Sequence, residues 1–190
     1  MAVPRDRQAT KRPRPAPKPI DSARLEELAL TYVARFATSA AKLHKYLKNK
    51  LRERGWEGDS EPDLAGIVGR YVELGYVDDA SFARNRAGGL LRRGYGERRV
   101  REALREAGID EAIRDETRPH EASARRAALT LARKRGFGPF GNEPIDRARR
   151  EKQLAAMLRA GHPLDSAREM VDAASEDAAE QWAAEVEEES

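Results

Sequence analysis

Cysteine is absent from the 190 residues. Its absence excludes disulfides, thiolate zinc sites and cysteine nucleophiles together, and fits a reducing compartment. Aromatic residues make up only 6% against 36% charged, so several short amphipathic elements are expected rather than one large core. No apolar run approaches the roughly 20 residues of a membrane span. The N-terminus is basic but no hydrophobic segment follows it, so it does not read as a secretory signal. The expectation is a soluble, cytoplasmic protein without membrane contact. Familiar reactive constellations are missing as well. There is no Walker A loop and no nucleophile elbow, and His44, His120 and His162 do not have metal-ligand spacing. No metal, cofactor or catalytic set is expected, and the chain reads as a non-enzyme.

What is abundant is charge, unevenly placed. Residues 1–24 hold seven Lys/Arg against two acids, whereas 176–190 hold seven acids and no base. A basic body with an acidic tail points to a polyanionic partner and to a tail that competes with it. Residues 3–19 include five prolines and little to bury, so residues 1–20 are expected to form a disordered basic arm.

From Leu25 onward the apolar residues recur at helical spacing. Leu25, Leu28, Ala29, Tyr32, Val33 and Phe36 form one stripe, with Asp21 or Ser22 as its cap. Leu43, Tyr46, Leu47 and Leu51 form a second, ending at Gly55; Leu64, Ile67, Val68, Tyr71 and Val72 form a third, ending at Gly75. A fourth helix carries Phe82, Ala83, Ala87 and Leu90, with Asp78 or Asp79 as cap, and a fifth carries Val100, Ala103, Leu104 and Ala107. Ile109 and Ile113 mark a short helix, Ala124 to Ala132 a longer one, and Ile145 to Leu158 and Leu164 to Val171 two more. The segment RGFGPFGNEP, residues 135–144, reads as a loop. The tail from Glu176 either prolongs the last helix or stays disordered. No window alternates with period 2, so no sheet is expected. Gly88 and Gly89 inside the fourth helix are explained by close helix-helix approach or by close approach of a partner.

The endings LRERG, LREAG and MLRAG begin at Leu51, Leu104 and Met157. Each begins 53 residues after the last, which marks an internal repeat. The predicted fold is therefore all-α, an elongated, curved tandem array of three-helix modules. The boundaries expected are the arm 1–20, a first module 21–57, a second 62–117, a third 120–174 and an acidic tail 175–190.

The stretch RRGYGERRVREAL, residues 92–104, resembles a phosphate loop only in its glycines; it lacks the preceding strand and the Lys-Ser/Thr. Gly94 and Gly96 read better as a C-cap and a turn, with Tyr95 packed in the joint. Residues 84–105 carry eight arginines and no lysine against two glutamates. Two readings stand for Arg92, Arg93, Arg98, Arg99, Arg101 and Arg105. One is a solvated face, partly self-paired through Glu97 with Arg101 and Arg98 with Glu102. The other is a footprint for nucleic-acid phosphates or an acidic protein surface. Aromatic residues that stack on bases are scarce nearby.

Residues 74–109, LGYVDDASFARNRAGGLLRRGYGERRVREALREAGI, resemble the core of the RecX regulatory proteins. The landmarks are Gly75, Tyr76, Asp78, Asp79, Phe82, Gly94, Tyr95 and Gly96, followed by the Leu-x-x-x-Gly-Ile ending. Weaker likeness covers Leu25 to Gly55 and Ala127 to Val171. Gly88-Gly89 and the Gly/Pro-rich insertion at 136–144 depart from the pattern. The resemblance implies tandem three-helix modules, without catalytic centre or cofactor, that bind a RecA-type recombinase filament and restrain its ATP hydrolysis, strand exchange and SOS co-protease activity. It implies contact with single- and double-stranded DNA without strong sequence preference, and a monomer. The reading from another class is a helical, sequence-specific DNA-binding transcription regulator that uses Glu97 to Ala107 as its recognition helix.

Overall fold

The computed structural model describes residues 18–142 and 146–186. The expected arm lies outside them as far as residue 17, as do residues 143–145, with Ile145, and 187–190 of the tail. Among the described residues the chain forms ten α-helices: α1 (Ser22–Arg35), α2 (Ala40–Arg54), α3 (Leu64–Glu73), α4 (Asp79–Leu91), α5 (Glu97–Glu106), α6 (Glu111–Glu116), α7 (Glu121–Arg135), α8 (Arg147–Arg159), α9 (Leu164–Val171) and α10 (Glu176–Ala184). No strand forms among them; one isolated parallel bridge joins Ile20 to Trp56. Local chemistry fixes where the helices start. Asp21, Ser39, Asp63, Asp78, Asp110, Asp146 and Ser175 each accept a backbone N–H of the first turn through the side chain. Each satisfies a donor that has no partner within its helix, which contributes about 1 kcal/mol.

Packing divides the helices into threes. Leu25, Leu43, Leu47, Ile67 and Tyr71 close one core between α1, α2 and α3. Ala83, Leu90, Val100, Leu104 and Ile109 close a second around α4 and α5. Leu131, Met157, Ala167, Met170 and Val171 close a third between α7, α8 and α9. None holds more than nine buried residues, so each unit must lean on its neighbour, as stacked repeats do. Two sequence boundaries move. Helix α3 had been grouped with the second module at 62–117, but Ile67, Val68 and Tyr71 are buried in the first core. Ile20, assigned to the arm, is fully buried in that core: its N–H donates to the Gly55 carbonyl at 3.0 Å, and its own carbonyl accepts from Glu57 at 2.9 Å.

The three glycines 53 residues apart close the middle helices α2, α5 and α8, with φ of 83° at Gly55, 71° at Gly108 and 97° at Gly161. The middle helices meet end to end. At one joint the N–H groups of Gly96 and Arg98, at the start of α5, donate to the carbonyls of Ala160 and Gly161 at 2.9 and 3.2 Å. The free donors of one helix thus meet the free acceptors of the next, positive end to negative end. The contact leaves no room: a Cβ on Gly96 would lie 2.4 Å from the Gly161 carbonyl, and one on Gly161 would lie 2.5 Å from the Arg99 nitrogen. At the other joint, Ser39 at the start of α2 donates its hydroxyl to the Ala107 carbonyl at 2.6 Å, and a Cβ on Gly108 would lie 2.2 Å from that of Ala41.

The tail follows neither expectation. Helix α9 stops at Asp172, and α10, capped by Ser175, packs Ala179 and Trp182 into the third core. Nor does close helix-helix packing explain Gly88 and Gly89: no neighbouring helix approaches either, and a Cβ at Gly88 would meet only the Arg92 guanidinium, at 3.1 Å. Because Gly96 has an ordinary φ of −83°, Gly96→Ala tests close approach without backbone strain. It should cost about 1–3 kcal/mol of overpacking and loosen the joint between the second and third units, read by urea unfolding and by hydrogen exchange at Arg98.

Candidate nucleic-acid and partner interface

The family-like landmarks turn out to be mostly joint hardware. Asp78 caps α4, accepting from the Ser81 N–H at 2.9 Å, and hydrogen bonds from Ser81 hold its carboxyl below the usual range. Asp79 instead reaches across to the first unit and accepts the N–H of Ala40, the first residue of α2, at 2.8 Å. The adjacent acids therefore cap two different helices. Phe82 packs on the second core, with the Lys42 ammonium 4.8 Å from its ring. Gly75 and Gly94 take positive φ at helix ends. Tyr76 is exposed, edge-on to Tyr71 at 5.9 Å. Tyr95 is not packed in the α4–α5 joint as its position suggested: it is 37% exposed, with the Arg93 guanidinium 6.0 Å from its ring.

All six arginines are exposed, but their surroundings separate them. Arg98 donates to Glu102 at 3.1 Å and to the Leu158 carbonyl at 2.7 Å, so it belongs to the joint with α8. Arg99 shares Glu102, and Arg101 faces Asp115 at 3.3 Å and Glu111 at 3.8 Å. Glu97 pairs with Arg118 at 2.8 Å rather than with Arg101. Arg92, Arg93 and Arg105 have no carboxylate partner among the described residues. Exposed pairs of this kind contribute only about 0–1 kcal/mol each, so they orient side chains more than they hold the fold.

The repeat reveals cations that the sequence reading left out. Lys45, Lys48 and Arg52 on α2 stand 53 residues before Arg98, Arg101 and Arg105 on α5. They are exposed and without ion-pair partners among the described residues. The signal was the glycine spacing, carried back along the helices it terminates.

Helix α10, the described part of the acidic tail, packs on α7 and α9. The Arg125 guanidinium lies 4.5 Å from the Trp182 ring and donates to its carbonyl at 2.8 Å, and Arg133 pairs with Glu180. Among the described residues no group of His, Asp or Glu is arranged to hold a metal, and no helix is long and apolar enough to cross a membrane.

One buried titratable group sits at a joint. His162 is 4% exposed, and its Nε2 lies 2.9 Å from the Gly94 carbonyl, to which the neutral ring donates. Burial pushes its pKa below the ordinary 6.5, outweighing the bond to Gly94. The unfolded imidazole therefore takes up a proton at higher pH than the folded one. Stability is full above the unfolded value and is lost as pH falls below it. The melting temperature should drop between about pH 7.5 and about pH 5.5, and His162→Gln, which keeps a donor for Gly94, should flatten that drop.

The family model for RecX, second three-helix domain, matches residues 78–117, the span of α4, α5 and α6. The regulatory protein RecX of Myxococcus xanthus (strain DK1622) is 29% identical over 167 residues, 82% of this chain and 88% of its own. That of Mycobacterium sp. (strain JLS) is 33% identical over 163 residues, 82% of this chain and 86% of its own. The crystal structure of RecX from Lactobacillus salivarius has the same fold, with a TM-score of 0.63 at 16% identity, over 79% of this chain and 94% of its own. Similarity at this level and over this length means that the chain belongs to the RecX family of regulatory proteins.

Proposed function

We propose that this protein is a non-enzymatic regulator that binds a RecA-type recombinase filament on DNA and restrains its ATP turnover, strand exchange and co-protease activity, thereby regulating DNA repair. It acts in the cytoplasm as a monomer and contacts DNA without strong sequence preference. Family membership supports the recombinase as partner. The observation that carries the mode of action is the linear array itself. Successive middle helices are locked end to end and present unpaired cations, Lys45, Lys48 and Arg52 on one and Arg105 on the next, and Arg92 just after α4 is a further one. An object of that form lies along a periodic, polyanionic partner. By bridging neighbouring protomers it hinders the conformational cycle that each must complete.

The operator-binding alternative is not favoured. A recognition helix inserts its N-terminal residues into the major groove, and here the first N–H groups of α5 are bonded to α8.

Titrating the purified protein into a recombinase with single-stranded DNA and ATP should slow ATP turnover in proportion to occupancy; unchanged turnover across the titration sinks the proposal. Arg92→Glu with Arg105→Glu should weaken filament binding and leave helicity and melting unchanged, since neither residue has an internal partner. If both meet phosphates, the salt dependence should flatten by about 0.9 per contact.

A further inference from the structure

The Gly/Pro-rich segment after α7 has no part in the function proposed above, yet it is firmly built. Gly136 caps α7 in the left-handed region. The next residues form a 3-10 turn, Gly138–Phe140, held by the Gly138 N–H donating to the buried Gln153 Oε1 at 2.9 Å. A Cβ on Gly138 would lie 2.2 Å from the Met170 carbonyl oxygen. So fixed, the turn places Phe137 and Phe140 beside α8, and Phe137 lines one hollow together with Tyr95 from the neighbouring unit. This hollow and an adjoining one share Arg135, Phe137, Ala156 and Arg159.

The cations of this groove come from three directions. Arg93 follows α4, Lys134 and Arg135 end α7, and Arg149, Lys152 and Arg159 lie on α8. No carboxylate lines either hollow among the described residues. Many arginines elsewhere are answered by an acid, as Arg101, Arg125, Arg133, Arg147 and Arg150 are. Lys134, Arg135, Lys152 and Arg159 have no ion-pair partner among the described residues. Uncompensated cations gathered around a concavity raise the local concentration of anions. The wall between them is aromatic, and Arg93 already lies over the Tyr95 ring. Cations around an aromatic wall match an unpaired strand, whose phosphates take the cations while its bases turn their faces to the rings. A duplex keeps its base faces hidden and makes no use of that wall.

We infer that the groove between the second and third units binds single-stranded polynucleotide, with Lys134, Arg135 and Arg159 on phosphates and Tyr95 and Phe137 against bases. The inference rests on the DNA contact proposed above and deepens it by naming the strand form and the site; its test contains no recombinase, so it can fail while filament regulation stands. Anisotropy of a labelled dT oligomer of about 12 nucleotides is followed with the full chain. Lys134→Ala with Arg159→Ala should weaken binding at least about tenfold and flatten the salt dependence by about 0.7 per lost contact. Tyr95→Ala should weaken it about tenfold with the salt dependence unchanged. All three residues are exposed, and circular dichroism checks that the variants fold. Unlabelled oligomer should displace the probe far better than a hairpin duplex, inorganic polyphosphate or polyglutamate. Unchanged binding by the variants overturns the inference. So does displacement by polyphosphate or polyglutamate as effective as by the oligomer, which makes the groove a general anion site. Duplex binding as tight as single-strand binding, with the same losses on mutation, overturns the single-strand assignment.

Discussion

Everything in this molecule hangs on helix ends that meet each other instead of water. A helix terminus leaves several backbone groups without partners, and burying them unpaired costs about 1–3 kcal/mol each. Where α8 meets α5 the carbonyl end of one middle helix receives the N–H end of another, so the joint satisfies both at once; where α5 meets α2 the Ser39 hydroxyl takes the Ala107 carbonyl and Asp79 takes the Ala40 N–H. Only glycine allows the backbones to come close enough. Among the described residues three of the four buried polar side chains sit at these contacts: Ser39 on Ala107, with Thr38 beside it, and His162 on Gly94. Small cores such as these cannot supply that order alone, and the joints turn three modest bundles into one array.

The second theme is how the chain disposes of its own charge. Most arginines are answered internally, by the next turn of the same helix or, at Arg125 and Arg133, by the folded-back acidic helix. The remainder are set apart by position rather than by residue type. Arg101 and Arg105 lie four residues apart on one helix, yet Arg101 faces Asp115 across a helix pair while Arg105 faces solvent. Residue density in the sequence marked the region, and only the packing of α5 against α6 sorts its members.

Much of the architecture was legible beforehand. Capping residues, 3.6-residue stripes and the recurring Gly endings placed nearly every helix, because these are local effects written in neighbouring residues. Helix α3 was assigned to the wrong unit for an equally physical reason. A long loop precedes it, and nothing in its stripe says which of two bundles buries Ile67 and Tyr71. The arginine face was visible as composition, whereas its division into paired and unpaired members depends on Asp115, Glu111 and the Leu158 carbonyl, all brought in by tertiary packing. The aromatic shortage around the arginines is real in sequence, but in space Phe137 lines the same hollow as Arg93 and Tyr95.

The glycine that ends α2 differs from its two repeats in one respect. No unit docks on Gly55, and no atom lies within 4 Å of where its Cβ would stand; its carbonyl is taken by the Ile20 N–H instead. At the opposite end, α10 covers the outer side of α7. At the Gly55 end of the array a backbone bridge thus stands where the other middle helices receive a neighbouring unit. The two joints fix the register of the three described units, so together they behave as a ruler: the stretch they span on a partner is written into the chain.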